Sequence, residues 1–100
     1  MYTPIIRNTR VLNLLEEKAI VYIKHLGSQP YNEVKFDCGK KVIVSYSLNY
    51  WQGIFQDFKR INKSVLINPQ KIISLLKSQE VELSDNSRFT YSRRKYRTLS

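Results

Sequence analysis

The chain has 100 residues, 17 Lys and Arg against 8 Asp and Glu, and a formal net charge of +9. That length holds one domain with one modest core, and 42% apolar with 12% aromatic residues exclude a disordered basic tail. A single cysteine excludes a disulfide scaffold and points to a reducing, cytoplasmic setting, and no apolar run reaches the length of a bilayer span or a signal peptide.

In chain order, Tyr2 to Arg7 reads as a strand, and Pro4 places it at a sheet edge. Residues 12–18, LNLLEEK, read as a helical turn, and AIVYIKH, Ala19 to His25, as a strand buried on both faces. LGSQPYN is a loop, with turn chemistry at Gly27, Ser28 and Pro30. Val34 and Phe36 alternate with charge in the next strand; Val42, Val44 and Tyr46 alternate in the one after. Pairing Phe36 with Val42 and Val34 with Val44 predicts a hairpin whose loop is Cys38, Gly39 and Lys40.

Ser47 is then a helix N-cap, followed at helical spacing by Leu48, Trp51, Ile54, Phe55 and Phe58. Such an aromatic stripe reads as core rather than as a base-stacking platform. Gly53 weakens the helix by about 1 kcal/mol relative to Ala, so packing must hold it. A second hairpin pairs Leu83 with Phe89 and Val81 with Tyr91 around a loop of Asp85, Asn86 and Ser87. Gly39 and Asn86 are the residues that tolerate a left-handed backbone in the two loops. YSRRKYRTL reads as a short C-terminal helix capped by Ser92. Arg93, Arg94 and Lys95 fall in its first turn, where the helix dipole opposes cations, so a docked phosphate would relieve the conflict. The plain alternative is a solvated charge run. The fold class is therefore mostly β: antiparallel strands in small packed sheets and hairpins, one central helix and a short C-terminal helix.

Chemistry of catalysis is thin. One His and one Cys cannot build a Cys/His metal cluster, and no glycine-rich phosphate loop is present. Glu80 and Glu82 alternate with Val81 and Leu83 as the wet side of a strand. His25 reads as a core-edge histidine without a nucleophile nearby, and Cys38 as a turn residue. An enzyme is not expected, and neither is a cofactor. The charge excess instead favours polyanions, nucleic acid before an acidic membrane surface.

Residues 58–68, FKRINKSVLIN, crowd Lys59, Arg60, Asn62 and Lys63 at the mouth of an apolar run that begins at Val65. This stretch resembles the signature of the LytTR family of bacterial DNA-binding domains, the output domains of many response regulators. Phe58, Arg60, Ile61, Ser64, Leu66, Ile67 and Asn68 match it. AIVYIKHLG resembles the family's first core strand, SLNYWQGI its helix, and VELSDNSRFTYSRRKYRTL its closing hairpin and basic end. The resemblance implies a compact antiparallel β fold that reads duplex DNA through loops. By that resemblance the first DNA-contacting loop carries Asn62 and Lys63, and the neighbouring Lys59, Arg60 and Ser64 join them as candidate DNA-binding residues. The second carries Arg93, with Arg94 and Lys95 beside it as further candidates, and a third falls within Ser28 to Asn32, at Tyr31 or Asn32. The family's usual His-Arg is Asn62-Lys63 here, and lysine lacks arginine's rigid fork for guanine. Asn62 could read adenine bidentately, or bond its own backbone as a loop residue.

The expected partner is double-stranded DNA, bound by two copies on direct repeats, with a separate receiver or sensor protein as the source of input and no membrane. Whether the chain is an excised output domain or a stand-alone regulator stays open. The alternatives are a basic β module for RNA or single-stranded nucleic acid, and a protein-interaction domain.

Overall fold

The computed structural model describes residues 5–6, 17–76 and 79–92. Among the described residues, nine strands lie in two sheets: β1 (Ile5–Ile6), β2 (Ile20–His25), β3 (Asn32–Phe36), β4 (Lys41–Val44), β5 (Lys59–Asn62) and β6 (Val65–Ile67) in the first, and β7 (Ile72–Leu76), β8 (Glu80–Leu83) and β9 (Arg88–Thr90) in the second. The six-stranded sheet runs β1-β4-β3-β2-β6-β5, and the three-stranded one β7-β8-β9. All pairings are antiparallel except the parallel edge pair β1–β4. The edge position expected from Pro4 is therefore found for Ile5–Ile6. The helix α1 (Leu48–Ile54) packs on the larger sheet. No helix among the described residues is long and apolar enough to cross a membrane.

The apolar runs of β2 and β6 follow from cores on both faces of the larger sheet. Ile20, Ile23 and Leu66 face one core with α1, while Val21, Tyr22, Val65 and Ile67 face the other with Val81 and Leu83 from the smaller sheet. Strict alternation would put Ile20 and Tyr22 on the same side. A bulge at Val21 shifts the β2–β3 register by one residue and sends Val21 and Tyr22 to the same face. Fully burying each such Val or Ile contributes about 1.5–3 kcal/mol relative to exposure.

Both hairpin registers differ from the expected ones by two residues. Val34 pairs with Val42, not Val44, and Val81 with Phe89, not Tyr91. The loops are Asp37, Cys38, Gly39 and Ser84, Asp85, Asn86. Phe36 N–H donates to the Lys40 carbonyl at 2.9 Å, and Leu83 N–H to the Ser87 carbonyl at 2.9 Å. Each loop ends on its left-handed residue, Gly39 at φ +94° and Asn86 at φ +70°. A three-residue hairpin loop demands that residue in third place, so the turn overrides the apolar pairing. A shift of two leaves every side chain on its intended face.

Ser47 caps α1 by accepting the Tyr50 N–H at 3.2 Å, and the stripe behind it is core: Leu48, Trp51, Phe55 and Phe58 are buried. Trp51 stacks on Phe55, and Phe55 on Phe58 at 5.0 Å between centroids. Phe58 contributes from beyond the helix, which stops at Ile54. Tyr46, expected on the apolar face of β4, lies past its end and is 49% exposed. A short 3-10 turn at Glu17–Ala19 overlaps the end of the turn expected over 12–18, whose residues 12–16 lie outside the described residues.

Polar groups join the sheets. Lys35 of β3 pairs with Asp85 of the β8–β9 loop at 3.2 Å, and Asp85 also accepts the Ser87 hydroxyl at 2.7 Å. Burial alone would raise the Asp85 carboxyl, but the bonds from Ser87 and Lys35 outweigh it and hold it below the ordinary carboxylate range. Nearby Tyr22 is pushed up to about 12, first by burial and then by the charges of Glu33 and Asp85. Asn68 is buried after β6: its Nδ2 donates to the Ile20 carbonyl at 2.9 Å and its Oδ1 accepts the Gln70 N–H at 3.0 Å.

Candidate nucleic-acid interface

The tight turn between β5 and β6 is built by its own side chains. Asn62 Oδ1 accepts the Ser64 N–H at 2.8 Å, and Asn62 Nδ2 donates to the Thr90 carbonyl at 2.7 Å. Arg60 braces the same turn from the side. Its Nε donates to the Asn62 carbonyl at 3.0 Å, one terminal nitrogen to the Lys63 carbonyl at 2.7 Å, and the other to Asn49 Oδ1 on α1 at 2.9 Å. Burial draws the Arg60 guanidinium below its ordinary pKa. A bulge at Ile61 sends that side chain into the second core and leaves Arg60 beside the turn. Lys63 and Ser64 are exposed at the tip, and Lys59 is half-buried on β5.

Hydrogen bonds bring two further segments to this turn. His25 N–H donates to the Ser64 carbonyl at 2.8 Å, tying the end of β2 and its loop to the tip. Ser92 N–H donates to the Ile61 carbonyl at 3.1 Å, which with the Asn62–Thr90 bond anchors the chain after β9. Arg93, Arg94, Lys95 and the expected C-terminal helix lie outside the described residues. In the β2–β3 loop, Gly27 is left-handed at φ +58° and the Leu26 N–H donates to the Tyr31 carbonyl at 3.1 Å. Tyr31 is half-buried.

Two candidate residues turn out to serve the fold. Asn32 is 1% exposed; its Oδ1 bonds His25 Nδ1 at 3.2 Å and its Nδ2 donates to the Tyr46 carbonyl at 2.6 Å. It is withdrawn from the surface expected of a contact residue. Asn62 follows the backbone-bonding alternative, with both amide atoms engaged inside the protein. The signature itself is largely architectural. Phe58, Ile61, Leu66 and Ile67 are core, Arg60 braces the turn and Asn68 caps a 3-10 turn at Pro69–Lys71.

Sequence reasoning missed the surface beside the turn. A cleft of about 440 Å³ opens there, between His25 and Pro30 on one side, Tyr46 to Leu48 at the head of α1, and Arg60 with Lys63. Tyr46 sits at φ +77°, with its ring stacked on Tyr50 at 4.5 Å. No local signal marks it, because the bond that holds its carbonyl comes from Asn32 in another strand.

A model of the LytTr DNA-binding domain family matches residues 11–100. Among solved structures, the chain is similar to the LytTr DNA-binding domain of a protein described as a methyl-accepting/DNA response regulator from Bacillus cereus. The identity is 15%, over 82% of this chain and 81% of that one, with a TM-score of 0.69, a likeness of fold. No curated protein matches the sequence significantly.

Proposed function

This chain belongs to the LytTr DNA-binding domain family, and on that premise we propose that it binds duplex DNA sequence-specifically as a cytoplasmic bacterial transcription regulator. Its reading elements are the β5–β6 turn and the segment that begins at Arg93, with the β2–β3 loop between them. The observation that carries the proposal is the bracing of the β5–β6 turn. Arg60 and Asn62 bond its backbone at three points, so Lys63 is presented from a rigid base. Base discrimination needs that rigidity, since loosely held side chains lose the geometry of a groove contact. In this reading Lys63 and Arg93 contact base edges, Ser64, Lys59, Arg94 and Lys95 contact phosphates, and Tyr31 touches the duplex from the third loop. A receiver or sensor protein supplies the input signal.

Duplex is favoured over single strands. Single-strand readers present exposed aromatics from a sheet, whereas the exposed aromatics among the described residues, Tyr46 and Tyr50, lie outside the strands. Mobility shifts with duplex DNA, single-stranded DNA and RNA test this directly. Duplex affinity should fall log-linearly with salt, and Lys59→Ala should weaken all sequences alike while flattening the slope by about 1. A flat salt response, or preference for RNA, would overturn the reading.

Two copies are expected on direct repeats along one face of the duplex, with repeat centres about 10 to 10.5 base pairs apart or a multiple of that. Inserting half a helical turn between repeats should abolish joint occupancy in a footprinting assay, and inserting a full turn should restore much of it. Equal occupancy with both insertions would mean that single copies act independently.

A further inference from the structure

The cleft beside the β5–β6 turn has the chemistry of an anion seat. Among the described residues lining it are two cationic side chains, Arg60 and Lys63, two hydroxyls, Tyr46 and Ser47, and no carboxylate. Arg60 commits three N–H groups to protein oxygens, and a guanidinium has five. Ser47 Oγ already accepts the Tyr50 N–H, which leaves its own hydrogen to donate outward. Tyr46 is exposed, so core burial does not account for its left-handed backbone, a conformation bulky residues rarely adopt. What holds it is a relay from the opposite wall. His25 Nδ1 donates to Asn32 Oδ1 and Asn32 Nδ2 to the Tyr46 carbonyl, fixing the ring at the cleft's edge.

We propose that this cleft seats a phosphodiester of the DNA backbone. Arg60 offsets its charge, with Lys63 on the adjoining base, and the Tyr46 and Ser47 hydroxyls donate to its free oxygens. The inference rests on the duplex reading above and adds the head of α1 to the interface. Its argument for backbone rather than a free ion is continuity: Lys63 lies both at the tip of the reading turn and in the cleft wall. A phosphate adjoining the base it meets is therefore within the same reach.

The test uses the full chain and a duplex carrying its selected site, with single uncharged methylphosphonate linkages walked along each strand. Tyr46→Phe keeps the ring stack and removes only the hydroxyl; unchanged thermal unfolding shows that it folds. The wild type should lose roughly tenfold at one linkage beside the base assigned to Lys63, the scale of one charge-assisted hydrogen bond. Tyr46→Phe should bind the unmodified duplex several-fold more weakly, yet lose much less than the wild type at that linkage and the same elsewhere. Wild-type sensitivity of Tyr46→Phe at every linkage would overturn the proposal while leaving duplex binding intact. A wild type that binds no duplex would instead remove the functional reading beneath it. Inorganic phosphate titrated without DNA, at constant ionic strength, separates the sources. Saturable binding lost in Tyr46→Phe would assign the cleft to a free phosphate and overturn the backbone contact.

Discussion

Leu66→Ala is expected to destabilise the protein by about 2–5 kcal/mol, the range for a leucine truncated in a core that cannot collapse around the gap. Leu66 is 0% exposed and lies in the core beneath α1, while its neighbours Val65 and Ile67 face the other core. Backbone pairing with Ile23 on one side and Arg60 on the other fixes its position, so little relaxation is available to fill the cavity. For a domain of this size each kcal/mol moves Tm by about 4–8 °C, so the midpoint should fall by at least roughly 8 °C. DNA affinity measured well below that midpoint should be nearly unchanged, because Leu66 contacts no ligand. A midpoint within a degree or two of wild type would mean that β6 does not anchor the turn.

Lys63→Ala and Arg93→Ala should do the converse. Thermal unfolding should stay near wild type, since Lys63 is exposed at the turn tip, while binding to the preferred site should weaken by about 1–3 kcal/mol for each. The loss on random duplex should be smaller, because phosphate contacts position the protein whereas base contacts specify. Equal losses on preferred and random duplex would make these residues a general phosphate clamp, with sequence read elsewhere. Asn62→Ala is the internal control. It deletes both the Ser64 and Thr90 bonds, so it should lower stability and affinity together.

What could be read without coordinates was whatever short-range periodicity encodes. The two-faced burial of β2, the N-cap at Ser47 and the core stripe of α1 are all visible because side-chain direction repeats at fixed spacing. The left-handed positions Gly39 and Asn86 were visible too, since few residue types tolerate that backbone. Parity was legible in both hairpins but register was not. Apolar pairing is satisfied equally by two registers two residues apart, and only the turn's own hydrogen bonds select between them.

The candidate interface divides the same way. Its location around residues 59–64 is marked by polar side chains at the mouth of an apolar strand. Which of those side chains face outward is decided by partners far away in sequence. Thr90 claims the amide of Asn62, Asn49 claims one arm of Arg60, and Tyr46 takes its backbone shape from Asn32. An amide or guanidinium is equally suited to a base edge and to a peptide carbonyl. Sequence alone determines that such a group is present; the tertiary fold decides which of the two it meets, by bringing a carbonyl within about 3 Å before any ligand arrives.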